Sequence, residues 1–167
     1  MRRLPALLAL SLLATPAFAS EKRHVEAHEH GHGRMTIAVE GKEMEMEFEA
    51  PGADLVGFEH KAGNDEERGK VAAAIARLKQ PQALFALPKG ADCTLEEAEV
   101  EQEFEGTHAA FHAHYHFNCA TPSALDRIEF HYFSAFPGAE EVEVTMVGAS
   151  GQKSYEVERD APLLRLR

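Results

Sequence analysis

The chain has no tryptophan, only two cysteines and few aromatic residues. It is also short of positive charge. Seventeen lysines and arginines stand against 28 aspartates and glutamates, for a formal net charge of −11 at pH 7. That balance argues against nucleic acid or an anionic membrane as a partner, since both are bound through basic patches. No CxxC pair or Cys-His cluster suggests a thiolate zinc site or a redox motif. No Ser/His/Asp or Cys/His arrangement gives a nucleophile signature, so the expectation is a binding protein and not an enzyme.

Long apolar runs are also missing, except at the start. Leu4 to Ala14 is apolar apart from Ser11, with Pro5 tolerated early. Arg2 and Arg3 precede the run, and Ala17-Phe18-Ala19 follows it as a small-x-small cleavage site. This is the pattern of a signal peptide over residues 1–19. The run is too short for a stable membrane anchor, and no cysteine at the cleavage site offers a lipid anchor. Cleavage after Ala19 makes Ser20 the first residue. It removes Arg2 and Arg3 from the −11 total, giving −13. About 148 residues then remain, enough for one domain with its own core. In an oxidising compartment, Cys93 and Cys119 are expected to form a disulfide, contributing roughly 3 kcal/mol in the chain-entropy model.

Histidine, by contrast, is plentiful, with ten residues, eight of them in two runs. The first holds His24, His28, His30 and His32; the second is His108-x₃-His112-x-His114-x-His116. Imidazole is the commonest protein ligand for zinc, copper and nickel, so both runs point to a metal. Residues 20–33 lack apolar periodicity and read as a histidine-rich mobile arm. Residues 34–167 read as a single β-rich metal-binding domain.

Met35 to Glu40 and Glu43 to Ala50 alternate apolar and polar residues around Gly41-Lys42, the signature of a hairpin. Asn64 or Asp65 is placed to cap a helix running to about Lys79, with Val71, Ile75 and Leu78 as its apolar stripe. Gln82 to Leu87 suggests a further helical turn. Strands are then expected over 95–104, 112–119, 127–133, 141–147 and 153–158, with a short last one at 163–166. The expected fold is α+β and mainly β: an antiparallel sandwich or partly closed barrel of about seven or eight strands with one main helix.

On the strand at 112–119, side chains alternate between faces. His112, His114 and His116 therefore share one face, while Phe111, Ala113, Tyr115 and Phe117 share the other. Two rises of about 3.3 Å separate successive histidines by about 7 Å at Cα, which lets neighbouring imidazoles reach one tetrahedral ion at about 2.0–2.1 Å per bond. A hairpin turning at Gly106 sets Cys93 beside Cys119. In that register His112, His114 and His116 oppose Val100, Ala98 and Glu96. A one-residue slip brings Glu101, Glu99 and Glu97 beside them instead, because a slip exchanges faces. The sequence leaves both registers open. A following hairpin at Pro122 to Leu125 would bring His131 near His116, although a plain polar strand residue is the favoured reading of His131. Met35, Met44 and Met46 raise the question of copper, because thioether is a soft ligand. Their alternation with glutamates favours a core face.

These segments together resemble the ZrgA-like family of zinc-regulated periplasmic proteins of Gram-negative bacteria. The resemblance is carried by His28-x-His30-Gly31, Val56-Gly57-Phe58-Glu59-His60, Leu84-Phe85-x-Leu87-Pro88 before Cys93, Tyr115-x-Phe117-x-Cys119-Ala120, Phe133-x-x-Phe136-Pro137-Gly138 and Gly151-Gln152. It implies a periplasmic protein that binds Zn²⁺ and assists its high-affinity uptake, beside an ABC-type importer or that importer's binding protein. It adds His60 to the candidate ligands, giving His28, His30, His32, His60, His112, His114 and His116. Members of the family commonly carry a long His/Asp/Glu-rich insert before the Tyr-x-Phe-x-Cys strand. Here Glu105 to His108 runs almost directly into that strand, so fewer bound ions are expected. Two other readings compete: a periplasmic copper-handling protein using histidine and methionine, and a β-rich interaction module whose histidines are incidental.

Overall fold

The computed structural model describes residues 30–149 and 151–166. The expected signal peptide over residues 1–19, His24 and His28 lie outside the described residues. Two hairpins with glycine-led turns begin the architecture. Strand β1 (His32–Glu40) turns into β2 (Glu43–Pro51) through Gly41-Lys42, and Gly41 takes a φ of +60°. Glycine takes that left-handed conformation without the β-carbon clash most other residues meet there. His32 and Gly33, read from the sequence as arm, are the first residues of β1.

Helix α1 (Gly52–Val56) follows, then α2 (Asp65–Leu78) and α3 (Pro81–Leu84). As expected, the Asn64 side chain caps α2 by accepting the Glu67 N–H. Phe85–Ala86 forms the short β3, where the sequence suggested only a helical turn over 82–87. Strands β4 (Cys93–Glu105) and β5 (His108–Cys119) form the second hairpin, turning at Gly106-Thr107 with Gly106 at φ +61°. The chain ends with β6 (Arg127–Phe130), α4 (Tyr132–Ala135), β7 (Glu141–Gly148), β8 (Gly151–Glu158) and β9 (Leu163–Arg165).

The strands form two sheets, one of six in the order β4-β5-β2-β1-β7-β8 and one of three in the order β3-β6-β9. The fold is mainly β, sandwich-like and not fully closed. All pairings are antiparallel except β1 with β7, which run parallel. β6 joins the small sheet instead of continuing the large one, so His131 is not beside His116. It precedes α4, with Nε2 3.8 Å from Glu129 Oε2. The physical cause is burial: Tyr132, Phe133 and Phe136 all enter the core and fold the chain into a helical turn where the sequence suggested strand.

The core fills the space between the sheets. Met44, Met46 and Phe48 from β2 meet Phe111, Tyr115 and Phe117 from β5. Phe48, Phe85 and Tyr132 pack with ring centroids 5.0–5.9 Å apart. Each such buried side chain contributes about 1.5–3 kcal/mol. The three methionines that raised the copper question are at most 2% exposed, so their thioethers are core filler. Cys93 and Cys119 form the expected disulfide, at directly paired positions of β4 and β5. Among the described residues, no helix is long and apolar enough to cross a membrane.

Candidate functional site

Two places bring imidazoles and carboxylates together. The first is a corner where β1 begins. Asp54 in α1 is 6% exposed, and both its carboxylate oxygens accept from the Gly31 N–H, at 2.8 and 3.0 Å. Gly31 has a φ of +88°, and its carbonyl accepts from Glu140 N–H at 2.7 Å and Glu141 N–H at 2.9 Å. Gly138 packs on the same point: a β-carbon there would lie 2.5–2.9 Å from Asp54 backbone atoms. Burial raises the Asp54 carboxyl above its ordinary range, opposed first by the Gly31 hydrogen bond and then by His30.

This backbone lock sets up Glu59. One oxygen, Oε1, lies 3.1 Å from His30 Nε2, and the other, Oε2, lies 2.5 Å from His108 Nδ1. The carboxylate is 13% exposed, whereas His30 and His108 keep 65% and 58% of their side-chain surface. A sheltered carboxylate thus holds two accessible imidazoles from segments far apart in sequence. Two imidazoles and a carboxylate are donors of the type zinc takes, here drawn together pairwise on the two oxygens of Glu59.

The other candidates near the corner have different partners. His60 Nε2 lies 3.3 Å from Glu67 Oε2, and its ring sits 4.8 Å from the Phe58 ring. Glu67 is held below its ordinary range, first by the Gly63 N–H and then by His60. His32 Nδ1 lies 3.7 Å from Glu141 Oε1.

The second place is the outer face of the large sheet. Here the two registers left open by the sequence both occur. Cys93 pairs with Cys119 and Leu95 with Phe117, as the disulfide requires. A β-bulge between Leu95 and Glu97 then inserts one residue, and the slipped register follows. Glu97 opposes His116, Glu99 opposes His114 and Glu101 opposes His112. On the other side, β2 places Glu45, Glu47 and Glu49 against the same three histidines. The result is a row of imidazoles between two rows of carboxylates, each pair within about 4.5–5.5 Å at Cβ. His112 and His114 line an open groove with Glu47, Glu49, Glu99 and Glu101. Arg34 is the basic residue on this part of β1, opposite Glu49 and Glu143. Such a face draws divalent cations by its field alone.

The strand period gives the shared face of His112, His114 and His116, but not Glu59, Asp54 or the role of His108. In the Val56 to His60 segment the resemblance singles out the histidine, whereas the residue joined to the other imidazoles is the preceding glutamate. His108 belonged to the second run but stood apart from the strand period that singled out the other three.

No curated protein matches the sequence. The segments that carried the resemblance, around His30-Gly31, Val56 to His60 and Phe136 to Gly138, meet at the corner just described. The model of the ZrgA family zinc uptake protein matches residues 27–166, and the chain belongs to that family.

Proposed function

We propose that this is a soluble periplasmic accessory protein that captures and buffers zinc and assists its high-affinity uptake, without catalysing a reaction. The observation that carries the reading is Glu59 holding His30 and His108 on its two oxygens, in a chain of the zinc uptake family. In this reading the corner is the principal site. His28, two residues ahead of His30, extends its ligand set from the arm, and His60 and His32 stand close enough in sequence to join it. His112, His114 and His116 hold further ions along the sheet face, standing in for the insert that this chain lacks. Release to an ABC-type importer or its binding protein follows naturally from exposed imidazoles, which a partner's ligands can reach. The signal-peptide pattern of residues 1–19 and the Cys93–Cys119 disulfide support an oxidising periplasm. Burial of Met35, Met44 and Met46 counts against the copper reading, because it denies copper(I) their thioethers.

Isothermal titration of residues 20–167 with zinc at neutral pH tests the reading. Saturable binding of micromolar affinity or tighter is expected. Its absence would refute the proposed function.

A further inference from the structure

We propose that Glu43, Glu96 and His116 form a second zinc site, built by the β-bulge and separate from the Glu59 corner. The proposal rests on the zinc-binding reading above and deepens it. One ligand atom from each of the three residues lies within 4.8 Å of the other two. His116 Nε2 is 2.9 Å from Glu43 Oε2, and its Nδ1 is 3.4 Å from Glu96 Oε2.

The bulge is the reason this rung differs from the others. A regular ladder sets one β4 residue opposite each histidine of β5. The inserted Glu96 gives His116 an additional carboxylate beside Glu97. Glu43 arrives from the other side as the first residue after the Gly41-Lys42 turn. Its second oxygen accepts from Asn118 Nδ2 at 2.8 Å, which orients the carboxylate in the manner of an outer-shell partner.

The support is rigid. The Cys93–Cys119 disulfide joins β4 to β5 three residues from Glu96 and from His116. The Cys119 N–H donates to Lys42 O at 2.8 Å, tying this end of β5 to the turn that carries Glu43. Sites on strands hold their geometry better than sites on loops.

Chemistry selects the ion. One imidazole with two carboxylates is a three-ligand set that leaves a position open to water. The imidazole favours zinc over magnesium or calcium, and two carboxylates balance its charge. A cation here also relieves repulsion among Glu43, Glu45, Glu96 and Glu97. Side-chain exposure of 29% for His116 and 48% for both glutamates leaves the ion accessible, so this site exchanges zinc readily.

Zinc titration of residues 20–167 and of its Glu43→Gln/Glu96→Gln and His116→Ala variants decides the matter. Glutamine keeps the shape of each side chain and removes its charge. Each variant is expected to bind one zinc ion fewer than the parent, or to bind that ion at least 10-fold more weakly. The Glu59 corner should keep its affinity, and thermal unfolding without zinc should be unchanged. Parent stoichiometry and affinity in both variants would overturn the site. Loss of every ion in either variant would overturn its separateness. A parent that binds no zinc would instead refute the zinc-binding reading, and this proposal with it.

Discussion

The Glu59 corner and the β5 histidine row use the same two donor groups in opposite ways. At the corner, residues 30, 59 and 108 come from segments far apart in sequence and meet beside a backbone lock at Gly31, Asp54 and Gly138. In the row, residues 112, 114 and 116 share a face through strand alternation alone, and their carboxylate partners follow from register. The corner is therefore sensitive to changes that touch none of its imidazoles. The row should tolerate anything that leaves β2, β4 and β5 paired. A composite site suits tight binding once its ligands close on an ion, because its carboxylate is sheltered. A row of exposed rungs suits capture and exchange.

The largest effect expected comes from removing both corner imidazoles. His30→Ala with His108→Ala should weaken the tightest zinc binding by about 100-fold, equivalent to roughly 2.7 kcal/mol, and leave ions in the row. Titration calorimetry measures both, and an unchanged first phase would break the distinction between the two places.

Gly138→Ala tests the lock without altering a donor. A methyl group there must displace the Asp54 backbone, at a cost of roughly 1–3 kcal/mol. Chemical denaturation should show that loss, and zinc affinity should fall at the corner but not in the row. Equal weakening of both would mean that they are one cooperative unit.

Asp54→Asn sharpens the electrostatic side of the lock. Burial raises the folded carboxyl above the usual aspartate value of 3.8. The folded state thus holds this proton more tightly than the unfolded chain does. The resulting stability is fully present below the unfolded value and is lost as pH rises through the raised folded value. Asparagine should flatten that part of the stability–pH curve, which denaturation across pH 3 to 7 would reveal. Zinc binding itself runs the other way. Neutral imidazole is the ligating form, so affinity should fall as pH drops below about 6.5.

The smallest effect on stability is expected from the row. Replacing His112, His114 and His116 together with alanine should change folding stability by no more than about 0.5 kcal/mol per site, as for surface substitutions. The number of bound ions should nevertheless fall. Unchanged stoichiometry would exclude the row as a metal surface.

The same contrast explains what could be read from the sequence. Strand alternation is local, so the hairpins, the core face of Met44, Met46 and Phe48, and the histidine face of β5 were legible. The cap at Asn64 was legible for the same reason. Register was not, because one inserted residue at Glu96 lets the disulfide and the glutamate row each have its own alignment. The parallel pairing of β1 with β7 and the departure of β6 into a second sheet depend on long-range packing that no local pattern encodes. The corner was hidden for that reason too. Nothing in the spacing of residues 30, 59 and 108 announces that they meet. The aspartate that holds the neighbouring Gly31 N–H is a single buried acid in a five-residue helix.

Anomalous scattering from crystals grown with zinc is the most direct test of the corner as the principal site, since it identifies the ion and its ligands together. A zinc peak at about 2.0–2.2 Å from donor atoms of His30, Glu59 and His108 is predicted. Crystals that hold zinc elsewhere while these three side chains keep only each other would contradict it.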